Sequence, residues 1–401
     1  MSRPRTVDLG DPDFWQDPYP EWRAARAEHR TAITTAGEPI LLAADDHDVA
    51  ATDPAFGQLG LRSLERLGLT DGPFYEWRRR TMNVVDGDAH SRLRGLVARA
   101  FTPRRVDAVR ADAYAHARDL LDASAAHDRA DFLADYAADL PLWLICRFLG
   151  LPVDARADIG LFLAGTEEAF TDPLTAEGRA RAEAGIVALG AYVEALIDDR
   201  RVSPGADLVS DLLEAEADGR VEHDELVALV VNVIGGAVGS SRAAIANMLL
   251  LVVQRPEIAD WVRADPTRVR PTIEEALRYH PPFRSGRRVA TRAVRAFGVD
   301  IAPGDTVFLA RQAANRDPRR FTDPDRFDPG RVLTGRNEGR HLSFGYGPHF
   351  CLGQALARLD LDEALRAFLD HPSRWRLAVE PRRIPFTIDE QLDALWLERI
   401  S

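Results

Sequence analysis

Phe344-Gly345-Tyr346-Gly347-Pro348-His349-Phe350-Cys351-Leu352-Gly353 is the stretch that decides how this 401-residue chain is read. It sets one of only two cysteines in a glycine-rich turn, directly before a strong helical repeat, Gly353–Leu369. Gly345, Gly347 and Gly353 remove side chains where the backbone must turn tightly or lie against a flat ligand. A thiol just ahead of a helix meets unpaired amides and the positive end of the helix dipole, and both favour its thiolate.

Several chemistries use such a thiol. The plainest is a buried free cysteine in a helix cap. Zinc is set aside, because no second cysteine lies near enough for the usual paired ligand spacing. A nucleophile served by His349 stays open, although residues two apart in a turn rarely face each other. A sulfur ligand to haem iron needs a stabilised thiolate and a partly apolar cover, which Phe344 and Phe350 can supply. The full ten-residue pattern favours this last reading.

Composition narrows the rest. Hydrophobic residues make up 46% and charged residues 28%, enough for a large core and a hydrated surface in one large domain or two ordinary ones. All 51 basic residues are arginine, which excludes Schiff-base lysine chemistry and the phosphate loop ending in Lys-Ser/Thr. A net charge of −12 argues against nucleic acid or an anionic membrane as partner. No run of about eighteen apolar, uncharged residues predicts a membrane span. The N-terminus, MSRPRTVDLGDPDFW, has no apolar signal core. The expectation is a cytoplasmic protein whose two distant cysteines stay reduced.

Helical periodicity dominates, over Asp107–Leu121, Ala130–Leu149, Ala176–Arg200, Glu222–Gln254 and Gly353–Leu369. Pro271–Arg278 reads as a helix with proline in its first turn, ended by Pro281-Pro282. Strand-like patches are short: Pro39–Leu42, Arg287–Ala290, Val299–Ile301, Thr306–Leu309 and Leu395–Arg399. Between Arg311 and His341 the proline-, aspartate- and arginine-rich sequence reads as a long ordered loop, a type that is usually functional.

The cysteine stretch resembles the ligand loop of the cytochrome P450 family, Phe-Gly-x-Gly-x-His-x-Cys-x-Gly in bacterial members, at every fixed position. The resemblance extends in order across most of the chain. It implies a mainly α fold with a minor β region, the cytochrome P450 fold as a single domain over 1–401, with its β-rich part near 33–45, 287–310 and 375–401. It implies haem b with Cys351 as axial iron ligand, pushing electron density that promotes O–O cleavage. Phe344, Gly345 and Gly353 would lie against the cofactor. His90 and Arg94, four apart on one helix face, with Arg288 and His349, would bind its propionates. Glu275 and Arg278, in Glu-x-x-Arg, would join Arg331 as a buried ion-pair group that holds the core behind the thiolate.

One departure stands out. The family's long central helix, matched by Glu222–Gln254, normally carries an acid followed by a threonine that deliver protons to iron-bound dioxygen. Here Gly239 falls at the acid position and Ser240 at the alcohol position, with Ser241 next if the alignment slips by one. No Asp or Glu occurs between Glu225 and Glu257. The expectation is a ferredoxin-driven monooxygenase of a small organic molecule whose protons come by way of water or substrate. A peroxide-driven peroxygenase, an oxidative coupling or cyclising enzyme, and a non-catalytic haem sensor are the alternatives. By resemblance the loop Phe74 to Val85, Val233, Ala237 and Ser240, the turn Phe283-Arg284-Ser285-Gly286 and the loop around Asp389–Asp393 line the substrate pocket, and Arg284 would favour a carboxylate or another acceptor-rich substrate. Arg242 is expected to point to solvent or another helix. Electrons would come from an acidic ferredoxin and its reductase, docking on a basic patch of Arg92, Arg99, Arg104 and Arg105. A monomer is expected.

Overall fold

The computed structural model describes residues 4–331 and 339–400. Its centre is the helix His223–Val253, apolar around most of its circumference and buried along most of its length. A helix hydrophobic all round belongs in a core, and this one packs against Asp139–Leu149, Val269–Tyr279 and Gln354–Asp370. By length and composition it could cross a membrane, but 67% of its most apolar window is covered by the rest of the protein. Glu222 and Glu225 start it with a reciprocal capping box. It runs as continuous α-helix through Gly235–Ser241.

Six strands form the main sheet, in the order Thr6–Val7, Thr31–Thr34, Pro39–Leu41, Thr306–Ala310, Ser285–Ala290 and Phe56–Gln58. Ile40 pairs with Phe308 in parallel, while Arg288 faces Val307 and Phe56 faces Ala290 across antiparallel ladders. Arg129–Asp131, Trp396–Ile400 and Arg374–Leu377 make a smaller sheet, and Val294–Ala296 pairs with Val299–Ile301.

The structure corrects several expected boundaries. Ala130–Leu149 is not one helix: Arg129–Asp131 pairs with the C-terminal strand, Leu133–Ala137 is a π-turn, and the α-helix starts at Asp139. The β region near 33–45 ends at Leu41, and Ala44 opens the helix Ala44–Thr52. The helix expected from Asp107 is divided into Pro103–Asp107 and Arg110–Ala125. Arg311–Ala314 is a single helical turn before the long loop, of which residues 332–338 lie outside those described, as do the ends of the 1–401 span. Both cysteines are free.

Candidate active site

The cysteine turn is held open by two left-handed glycines, Gly345 (φ 71°) and Gly347 (φ 75°). A Cβ on Gly347 would lie 2.6 Å from Ala51 O, so backbone packing as well as conformation demands glycine there. Gly353, by contrast, has an ordinary φ of −79°. The turn closes through Cys351 N–H donating to Phe344 O at 2.9 Å, and Gly353 N–H donates to the sulfur. Burial pushes the Cys351 thiol up, against the pull of Gly353 N–H and the guanidiniums of Arg94, Arg358 and Arg311.

A network behind this turn fixes its base. Arg358 lies 4.3 Å from the Phe344 ring centroid and ion-pairs with Glu274, which also bonds His341 at 3.0 Å. Glu274 is half-buried, yet His341 and Arg358 hold its carboxyl well below the usual range. The neighbouring Glu275 pairs with Arg278 at 2.7 Å and with Arg331 at 3.3 Å, and accepts Asp328 N–H at 2.8 Å. Arg278 donates further to the carbonyls of Asn315, Pro324 and Arg326. Such complete satisfaction is what makes a buried ion pair tolerable.

Above the turn lies a cavity of about 520 Å³. Cys351, Phe344, Gly345 and Gly353 line it from one side, and Val233, Ala237, Ser240 and Ser241 of the central helix from the other. His90, Arg94, Arg288 and His349 all line it as well. The His90 and His349 rings are 3.9 Å apart, Arg94 donates to Phe350 O at 2.7 Å, and Arg288 donates to Arg287 O at 3.0 Å. Burial, with His349 and Arg94 nearby, pushes His90 down to about 4. The acid in this group, Asp86, is already engaged by His349 (2.8 Å) and Gln58 N–H (2.7 Å).

These residues fit a flat dianionic macrocycle with an iron centre. Arg94, Arg288 and Arg311 gather there with hydrogen bonds to carbonyls and no ion pair among the described residues, a sulfur faces the cavity, and a side chain on Gly236 would enter open space. Sequence reasoning missed Arg311, which also lines the cavity, donates to Ser285 O at 2.9 Å and is pulled down to about 10 by burial and Arg288. Nothing in its local sequence marks it; the sheet brings it there.

Two expected site residues face elsewhere. Arg284 is 2% exposed, donates to Ile384 O at 2.7 Å and stacks 5.1 Å from the Trp15 ring centroid. Extended backbone sends alternate side chains to opposite sides, so Phe283 and Ser285 line the cavity and Arg284 does not. Gly239 is also absent from the cavity wall. A Cβ there would stand 2.9 Å from Asp389 Oδ2 and 3.0 Å from Glu167 Oε1. Glu167 pairs with Arg242 at 3.0 Å, which directs Arg242 to the neighbouring helix Arg156–Glu167. Burial and Glu167 push the Asp389 carboxyl up to about 7, against Arg242, a Gln391 hydrogen bond and Arg284.

Residues 191–398 match the family model described as Cytochrome P450. The chain belongs to the cytochrome P450 family. Luteothin monooxygenase of Streptomyces thioluteus is 33% identical over 371 residues, 91% of this chain and 89% of that one. The 6-deoxyerythronolide B hydroxylase of Saccharopolyspora erythraea is 38% identical over 290 residues, covering 71% and 69%. Among solved structures, CalO2 superposes with a TM-score of 0.91 at 28% identity, over 98% of this P450 and 99% of CalO2. The chain is therefore a bacterial-type P450 monooxygenase with the P450 fold, and its cofactor is haem iron held by a thiolate. Of the four arginines of the expected docking patch, Arg92 and Arg105 are paired with Glu225 and Asp211, while Arg99 and Arg104 are exposed.

Proposed function

We propose that this P450 carries haem b and hydroxylates a small organic molecule of secondary metabolism, using O2 and electrons from an acidic ferredoxin and its reductase in the cytoplasm. The observation that carries this reading is the opposition of Cys351 and Ser240 across one cavity whose edge holds His90, Arg94, Arg288 and His349. The luteothin and 6-deoxyerythronolide B enzymes point to a natural product as substrate class.

Bound haem supplies oxygen activation, with Cys351 as its sulfur ligand. The rest is done by the chain. His90, Arg94, Arg288 and His349 hold the propionates. Val233, Ala237 and Phe283 orient an apolar part of the substrate and keep bulk water away. The Ser240 hydroxyl, in the cavity wall, would order water or donate a hydrogen bond into the cavity.

Monooxygenation consumes protons as well as electrons, and the central helix brings no carboxylate to supply them. Asp389 and Glu167 bring theirs from outside the helix, packed against Gly239 beside Ser240. A carboxyl with a pKa of about 7 holds its proton near neutral pH yet can release it, which suits a general acid. This Asp389–Glu167 pair takes the place of the missing helix acid and refills the Ser240 water chain. Reconstitution with NADPH, ferredoxin reductase, ferredoxin and labelled O2 tests the reading. Label in the product supports it; product formed only with added peroxide favours a peroxygenase.

A further inference from the structure

Arg78 closes the helix Pro73–Arg78 and is a second kind of cation in the cavity wall. Arg78 is half-buried and lines the cavity. Nε is fully covered and has no hydrogen-bond partner among the described residues, and no ion pair forms there. Two aromatic faces flank it, Trp77 at 5.9 Å and Phe170 at 5.7 Å from the ring centroids. Burial alone pulls it down to about 10, with no acidic neighbour acting on it. It stays charged at neutral pH. The other arginines of the cavity differ: Arg94, Arg288 and Arg311 donate to carbonyls, and Arg287 has Glu38 and Asp172 within electrostatic reach.

A covered donor without a partner is costly, and ring faces do not satisfy an N–H such as Nε. A planar guanidinium matches a carboxylate through two parallel hydrogen bonds. Phe170 packs edge-on to Phe74, which puts this guanidinium under the segment that follows the helix Arg156–Glu167. The propionate candidates His90 and His349 instead stack on each other beside Asp86. The cavity lining also includes the apolar Met82, Leu144, Ile145 and Val233, and its amides Asn83 and Asn232 are bonded to each other at 2.8 Å.

We propose that Arg78 is the anchor for a carboxylate on an otherwise apolar substrate, pairing with it at the wall of the cavity away from Cys351. This deepens the proposed hydroxylase reading, since it takes the cavity as the substrate pocket. It is measured by binding, independently of turnover.

The test titrates the haem-loaded enzyme with straight-chain carboxylates from octanoate to hexadecanoate and with their methyl esters, reading the ferric spin-state shift and, separately, heat of binding. A charge-assisted pair predicts at least one carboxylate bound about tenfold or more tighter than its ester. R78Q should abolish that preference while leaving ester affinity and haem content unchanged, and R78K should keep part of it. Three results would overturn the inference. No carboxylate in the series outbinds its ester, or R78Q keeps the preference, or R78Q loses haem instead, which would give Arg78 to the cofactor. Loss of oxygen-dependent turnover with the preference intact would count against the hydroxylase reading and not against this site.

Discussion

Asp389 Oδ2 lies 2.9 Å from the point at which a side chain on Gly239 would begin. A carboxylate from the C-terminal loop therefore stands beside the central helix, and the glycine leaves the room for it. D389N should slow O2-driven hydroxylation by about 10²-fold, the low end of what a positioned general acid contributes. Peroxide-driven product formation should be unaffected, because peroxide brings its own protons. Equal losses in both reactions would remove Asp389 from proton delivery.

The same carboxyl makes stability depend on pH. Folding raises Asp389 from 3.8 to about 7, so the folded protein binds this proton more tightly than the unfolded chain does. Its stabilising contribution is complete below about pH 4 and is lost as pH rises through about 7. The amount is on the order of a few kcal/mol. Wild type should therefore lose stability relative to D389N between those limits in denaturant unfolding, and an infrared band of the protonated Asp389 carboxyl, absent in D389N, should vanish as pH rises through about 7. A pH-independent difference would contradict the assignment.

Glu275 and Arg278 are both fully covered, and each satisfies the other. E275A leaves Arg278 as an uncompensated buried charge and should cost about 3–5 kcal/mol, enough to deplete folded protein. Arg331 reaches the pair from the edge, so R331A should cost less. Urea unfolding midpoints of the two variants rank them.

Two glycines of the cysteine turn should respond differently. G347A forces a β-carbon against Ala51 O at positive φ and should destabilise by about 1–3 kcal/mol. At Gly353 the nearest atom to an added Cβ is Phe101 at 3.8 Å, so the fold tolerates G353A. That methyl meets the cavity, and the loss should appear in haem retention. Thermal unfolding and the haem-to-protein absorbance ratio separate the two effects.

Exposed Arg99 and Arg104 carry the free positive charge of the expected docking face, while Arg92 and Arg105 are neutralised by Glu225 and Asp211. R99E/R104E should slow reduction by an acidic ferredoxin about tenfold at low salt and much less at high salt. Stopped-flow reduction across ionic strength checks this.

The cysteine loop was legible because its constraint is local: two positive-φ glycines, a histidine and a thiol within ten residues. Glu275, Arg278 and Arg331 were legible through their order along the chain. What sequence could not reveal depends on chain segments far apart meeting. Asp389 and Glu167 converge on Gly239 from two distant elements, and Arg311 reaches the cavity through sheet pairing. Arg284 misled because the turn Phe283–Ser285 is extended, and one step along it reverses the side chain. The helix expected over Ala130–Leu149 failed for a related reason, since strand pairing with Trp396–Ile400 overrides the local pattern.

The thiolate site is tested most directly by the carbon monoxide difference spectrum of the reduced protein. Cys351 as axial ligand predicts the long-wavelength Soret band of a thiolate-bound ferrous–CO complex, absent in C351H. A band at the shorter wavelength of imidazole-bound haem in the wild type would contradict the account.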